Sequence, residues 1–256
     1  MSRMPVLFVG HGSPMNAIED NTYSRTWRKI AERIPKPEAI VSVSAHWYTK
    51  GTRIMNGKNP RTVYDMYGFP KELYEVTYNA VGSPAIAEIA KNLITRETQY
   101  DNSWGLDHGT WSVLVHMYPD RDVPVFQISI DAAAPPEEHY KIGQELSTLR
   151  KQGFLIFGSG NVVHNLRLVD WHKENKGFDW AYKFDAYIYE NIMNGNHDHI
   201  IHYSRAGDIA KLAVPTPDHF YPLLYTLGAS HESDKISVYN QSCELGSLTM
   251  TCYLWE

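Results

Sequence analysis

Five histidines stand where an α/β protein displays its chemistry. His11 follows the apolar run Pro-Val-Leu-Phe-Val-Gly, in Gly-His-Gly-Ser-Pro, and His46 follows Ala-Ile-Val-Ser-Val-Ser-Ala, in Ser-Ala-His-Trp. His164 comes shortly after Phe-Leu-Ile-Phe-Gly, in Gly-Ser-Gly-Asn-Val-Val-His-Asn. His108 in Gly-Leu-Asp-His-Gly-Thr-Trp and His219 in Pro-Thr-Pro-Asp-His-Phe each open a helical pattern. Neutral imidazole is the commonest transition-metal ligand and titrates near neutrality, so these residues suit metal binding or proton transfer. A lone strand-end histidine is more often a hydrogen-bonded polar residue. Two at successive strand exits would converge on one crevice, which strengthens the metal reading. No fixed spacing such as His-Glu-x-x-His is present, so spacing alone leaves both readings open.

The other histidines have blander contexts. His197, His199 and His202, in Asn-His-Asp-His-Ile-Ile-His, read as a solvated stretch after a helix ending at Asn194-Gly195. His116 falls inside a helical pattern, and His139, His172 and His231 lie in polar segments without an evident role. Gly158-Ser-Gly160 follows a strand but lacks the third glycine of a dinucleotide fingerprint; its glycines read as sites of close backbone approach. There is no Gly-x-Ser-x-Gly elbow and no phosphate-loop lysine motif. Cys243 and Cys252 have no Cys-x-x-Cys spacing and read as buried thiols.

The elements that must carry these residues are short and apolar. Strands are predicted over 5–10, 39–45, 123–130, 154–158, 235–239 and 247–254. Helices are predicted over 23–34, 84–94 (Ser83 as N-cap, Pro84 first), 111–118, 136–150 and 180–193. A further helix after Pro217 would take Thr216 as its cap. Strands alternating with helices imply one α/β domain with a mostly parallel central sheet and helices on both faces. Ligands would then bind outside the carboxyl ends of the strands, where the histidines lie. A net charge of -5 offers no basic footprint for nucleic acid and no patch for a membrane. No apolar run approaches the roughly 20 residues of a spanning helix, and residues 5–10 are too short for a secretory core, so a cytoplasmic location is expected.

His11 in Gly-His-Gly-Ser-Pro-Met, His46 in Ser-Ala-His-Trp, Gly105 to Trp111, Gly160 to Asn165 and Thr216 to His219 occur in an order that resembles the 4,5-DOPA extradiol dioxygenase family. This is the bacterial and plant branch of the class III, protocatechuate 4,5-dioxygenase-like enzymes. The resemblance runs from about residue 4 to the C-terminus and takes in residues 16–20, Gly68-Phe69-Pro70 and Glu244 to Ser247. It implies a non-haem divalent metal on His11 and His46. The wider superfamily completes the site with a glutamate, whereas here the third ligand would be His219. An all-imidazole site suits zinc as readily as iron, so Fe(II) is expected for activity and Zn(II) in isolated protein.

By the same resemblance His164 is the catalytic base or a fourth ligand, and His108 lines the pocket and assists the oxygen chemistry. The expected reaction is O₂-dependent opening of a small aromatic diol such as L-DOPA by a monomer. Ser13 and Asn165 stand beside ligands and could orient substrate. Trp47, Tyr48, Trp104 and Trp111 flank the histidines and could wall a flat apolar pocket, with core packing the alternative for Trp104 and Trp111. Arg167 or Lys50 could meet a substrate carboxylate or remain solvated. Two other functions fit the same histidines: a zinc hydrolase, with Asp107 or Asp218 as base, and a non-catalytic binding module.

Overall fold

Runs of Val, Ile, Leu and Phe buried on both faces form strands because branched side chains pack well on a pleated surface. A computed structural model describes residues 3–256. Its strands are β1 (Val6–Gly10), β2 (Ala39–Thr49), β3 (Thr52–Ile54), β4 (Thr98–Tyr100), β5 (Val125–Asp131), β6 (Phe154–Gly160), β7 (Ile236–Tyr239), β8 (Cys243–Glu244), β9 (Leu248–Thr249) and β10 (Cys252–Trp255). Eight of them form one sheet in the order β4-β3-β5-β2-β6-β1-β10-β7, and β8 pairs with β9 alone. The centre, β5-β2-β6-β1, is parallel throughout. On one side β3 is antiparallel to β5 and carries the edge strand β4 parallel to itself; on the other, β10 and the edge strand β7 are antiparallel.

The helices are α1 (Thr22–Arg33), α2 (Lys71–Glu75), α3 (Pro84–Leu93), α4 (His108–Met117), α5 (Pro136–Leu146), α6 (Asp179–Met193), α7 (His197–Ile201), α8 (Asp208–Ala213) and α9 (Tyr221–Ala229). They cover both faces. On β6, a Cβ at Gly158 would meet Pro222 and Thr226 of α9, whereas the hydroxyl of the next residue, Ser159, donates to Gly109 of α4. Successive strand residues point to opposite sides, so the two helices lie on opposite faces.

Several boundaries differ from expectation for local reasons. The last strand is not continuous over 247–254: Met250 and Thr251 pass the chain from the small β8–β9 pair into the main sheet. Helix α4 begins at His108 rather than Trp111, because Asp107 caps it by accepting from Thr110 N. The helix expected from Thr216 starts at Tyr221; residues 217–220 form a turn closed by Phe220 N donating to Pro217 O. Ser83 stands at the cap of α3, but its side chain makes no capping bond. The short strands β3 and β4 and the short helices α2, α7 and α8 were not predicted, because segments of three to six residues carry too little periodicity to read.

Two readings of isolated histidines are corrected. His139 is fully buried in α5, its ring tilted against that of Tyr221 with centroids 4.2 Å apart and bonded to Tyr225 Oη at 3.0 Å. His197 is half-buried, its Nδ1 2.9 Å from Tyr140 Oη, so the 197–202 stretch is only partly solvated. The two cysteines are buried and free. Among the described residues no helix is long and apolar enough to cross a membrane.

Helices α5 and α9 touch through their backbones. A Cβ on Gly228 would stand 2.0 Å from Tyr140 O, and one on Gly143 2.2 Å from Tyr225 O. We therefore expect Gly228→Ala to lower unfolding free energy by about 1–3 kcal/mol in urea titrations, the usual cost of overpacking. His139 gives a pH signature. Burial lowers its pKa from 6.5 to about 4, so the unfolded chain takes up a proton that the folded chain refuses. Stability should be full above pH 6.5, fall on acidification and level off below about 4, with a loss of about 3 kcal/mol from this residue. In denaturation curves at several pH values, His139→Gln should show that much less acid loss.

Candidate metal centre

Backbone bonds bring the three segments of the site together. His11 N, just past β1, donates to Gly160 O at the end of β6 (3.0 Å). Asn161 N donates to His219 O (2.9 Å), and a Cβ at Gly160 would lie 2.1 Å from that same oxygen. Only glycine permits this approach, which is what the Gly-Ser-Gly run supplies. His46 arrives from β2, where the register with β5 slips between Val43 and Tyr48. His11, His46 and His219 each offer a ring nitrogen within 4.8 Å of the other two. His11 Nε2 and His46 Nε2 are 3.1 Å apart.

The opposite side of each ring fixes its tautomer. Ser159 donates its hydroxyl proton to Gly109 O and therefore accepts from His11 Nδ1 (3.0 Å). His219 Nδ1 is 2.5 Å from Asp218 Oδ2, and His46 Nδ1 is 3.0 Å from Asp65 Oδ2. An oxygen facing each Nδ1 puts the proton there, which leaves the Nε2 lone pairs bare. Two bare lone pairs 3.1 Å apart repel unless a cation or proton lies between them. Two imidazoles bound to one ion at about 2.0–2.1 Å would stand at a similar separation, so the donor set fits a transition metal backed by outer oxygen partners.

Burial and mutual repulsion hold down the pKa values of His11, His219 and His164, whereas nearby carboxylates raise that of His46. His11 is held well below the usual histidine value by burial and by His46, His219 and His108. His219 is lowered by burial and by His164, His46 and His108. In His46 burial also acts downward, but Asp65, Asp107 and Asp218 outweigh it and the value rises. His164 is lowered to about 4 by burial; its ring stacks on His219 with centroids 3.4 Å apart and planes within 4°. Among the described residues His164 shares a potential ligand group with Asp218 and His219, not with His11 and His46.

His108 caps the pocket from the first turn of α4, its centroid 3.9 Å from that of His46. Its Nδ1 and its backbone N both lie 3.0 Å from Asp65 Oδ1. The two ring contacts of Asp65 are close but lie off the N–H direction, so they are charge–dipole contacts more than straight hydrogen bonds. Asp65 itself is lowered well below the carboxylate range: burial opposes this, and His108 and His46 prevail.

The remaining expected residues are placed as follows. Ser13 is exposed and caps a short 3-10 turn by accepting from Met15 N (3.2 Å). Trp47 is 3% exposed and belongs to the hydrophobic core cluster. Trp111 is buried and bonded to Val63 O, and Trp104 donates to Asp107. Tyr48 is partly exposed. Asn165 spends both ends of its amide on backbone, donating to Leu212 O and accepting from Arg167 N. Arg167 and Lys50 are exposed. Asp107, the hydrolase's candidate base, is wholly buried and accepts from Ser44, Thr110, Trp104 and Gln127, so no lone pair is left for substrate. Asp218 is bound to His219.

Sequence reading missed Ser159 and Asp65. Ser159 lies inside the Gly-Ser-Gly run read only for its glycines. Asp65 sits among aromatics in Val-Tyr-Asp-Met-Tyr, and a lone acid in such a stretch was the available signal.

Three converging imidazoles at the strand ends of an α/β sheet make a candidate metal centre of an enzyme, and comparison with known proteins gives the family. Residues 5–251 match the family model described as the catalytic LigB subunit of aromatic ring-opening dioxygenase, and the chain belongs to this family of enzymes. It is 44% identical to the 4,5-DOPA dioxygenase extradiol of Escherichia coli K12 over 97% of this chain and 93% of that protein. It is 36% identical to the protein of the same name from Beta vulgaris, over 96% and 94%. A crystal structure titled as an uncharacterized protein of Escherichia coli K12 superposes with a TM-score of 0.86 at 40% identity, covering 98% of this chain and 99% of that one.

Ser159→Ala removes the oxygen facing His11 Nδ1. We expect zinc affinity, measured by competition with a chromogenic chelator, to weaken about 10–100-fold with far-UV dichroism unchanged.

Proposed function

We propose that this chain is an extradiol ring-cleavage dioxygenase that opens a catechol such as L-DOPA with O₂, using one divalent metal held by His11, His46 and His219. The observation that carries the reading is the set of three imidazoles that each have an oxygen facing Nδ1 and a ring nitrogen converging on the other two. The names of the 44% and 36% identical relatives supply the substrate class. When bound, the metal supplies Lewis acidity toward a chelating diol and an open position for O₂. Fe(II) is the working ion, while zinc, higher in the affinity order, occupies isolated protein. The enzyme acts as a single catalytic domain over 1–256, as a cytoplasmic monomer.

The protein's own residues then divide the proton work. His164, neutral near pH 7 because burial lowers it to about 4, accepts a proton from the substrate hydroxyl. Its separation from the His11–His46 pair favours this role over a fourth ligand. His108 lies over His46 with Asp65 behind its Nδ1; its bare Nε2 takes up a proton released from the substrate diol and passes it on to reduced oxygen. Asn165 and Ser13 orient the loops around the site, since their polar groups are taken by backbone.

Metal-stripped protein loaded anaerobically with Fe(II) should consume O₂ on addition of L-DOPA and give a yellow ring-opened product, and the Zn(II) form should not. No uptake with either ion across a catechol panel would refute the dioxygenase reading. His164→Ala should retain metal stoichiometry and lose about 10²–10⁴-fold in turnover. Loss of metal together with activity would instead make His164 a ligand.

A further inference from the structure

We propose that Asp65 is a positioning residue that sets the tautomers of two histidines at once, the metal-binding face of His46 and the pocket face of His108. This rests on the assignment of His46 as a ligand. One carboxylate lies between the two rings: Oδ2 is 3.0 Å from His46 Nδ1, and Oδ1 is 3.0 Å from both His108 Nδ1 and His108 N. Among the described residues no other acceptor reaches either Nδ1.

A carboxylate only accepts, so a ring nitrogen 3.0 Å from it must carry the proton; the opposite tautomer would set two lone pairs against each other. His46 Nε2 is thereby bared toward His11, and His108 Nε2 is bared on the side away from Asp65. The acid is fixed in turn, because His108 N, the first amide of α4, binds Oδ1, and the helix N-terminus favours a negative charge there. Asp65 thus lies behind both the His46 ring from β2 and the His108 ring from α4, which also touch each other with centroids 3.9 Å apart.

The arrangement makes the isosteric substitution informative. In Asp65→Asn the amide oxygen remains with the two N–H groups of His108, and the NH₂ then faces His46 Nδ1. That nitrogen must accept, so the His46 proton moves to Nε2 and blocks the metal-binding face. Asp65→Ala leaves both tautomers free to adjust. A residue needed only for packing would give the reverse order, with Asn nearly normal and Ala impaired.

The experiment pairs zinc titration of metal-free protein with ¹⁵N spectra of its histidine rings at about pH 9, where the imidazoles are neutral. We expect Asp65→Asn to weaken zinc binding by about 10–100-fold and by more than Asp65→Ala. His46 should change from an Nδ1–H pattern in the parent protein to Nε2–H in Asp65→Asn. Asparagine restoring zinc affinity above alanine would overturn the proposal. The parent spectrum decides alone if neither variant folds: a proton on Nε2 of His46 or His108 refutes it. Neither readout involves turnover, so failure of the dioxygenase assay and failure of this inference are separable.

Discussion

Two bare ring nitrogens 3.1 Å apart in a buried crevice are the constraint on which the rest of the site depends. Left to themselves, buried imidazoles would turn or take up protons until the repulsion was relieved. Here each ring is restrained from behind by an oxygen: Ser159 for His11, Asp65 for His46 and Asp218 for His219. Backbone bonds restrain the segments themselves, since His11 is tied to Gly160 and His219 to Asn161. The conflict is thus held in place by the fold, in an arrangement that a divalent cation would relieve. This is preorganisation in the ordinary sense: rigid elements carry the ligands, and a second layer of hydrogen bonds aims them.

The first turn of α4 has a similar supporting role. Three polar side chains of the central strands are directed into it: Ser42 bonds Thr110, Ser44 bonds Asp107 and Ser159 bonds Gly109. Buried polar groups of this kind cost stability unless every one is paired, and these are paired. Their effect is to fix His108 against the sheet. Three carboxylates, Asp65, Asp107 and Asp218, surround the rings, which gives the crevice a negative surround suited to a cation. One imidazole, His46, is raised by them; the others stay low because burial and their neighbours dominate.

The central parallel strands and the longer helices were legible because they are continuously apolar or amphipathic over enough residues. All five site histidines were legible as well, since strand ends and helix starts are marked by Gly, Pro and Asp. What escaped was short or non-periodic. Strands β3 and β4 have three residues each, and the helix expected at Thr216 begins five residues later because Pro217 closes a turn with Phe220. Asp65 escaped because its partners are 19 positions before it and 43 after it, which no local pattern encodes. Trp47 and Asn165 were placed near the chemistry by sequence proximity, but proximity does not say which way a side chain points. Trp47 enters the core, and Asn165 serves its own loop.

The position of β1 has a consequence for biosynthesis. Its neighbours in the sheet are β6 and β10, drawn from around residues 156 and 254, so the strand leading to His11 pairs with segments made far later. Met250 also lies against Gly10, close enough that any side chain there would collide with its backbone. Such long-range pairing slows folding and leaves β1 without either sheet neighbour while synthesis proceeds. The histidine made first therefore waits longest for its surroundings. A nascent chain cannot bring the three imidazoles together before the segment carrying His219 exists, and the sheet beside His11 closes only with β10.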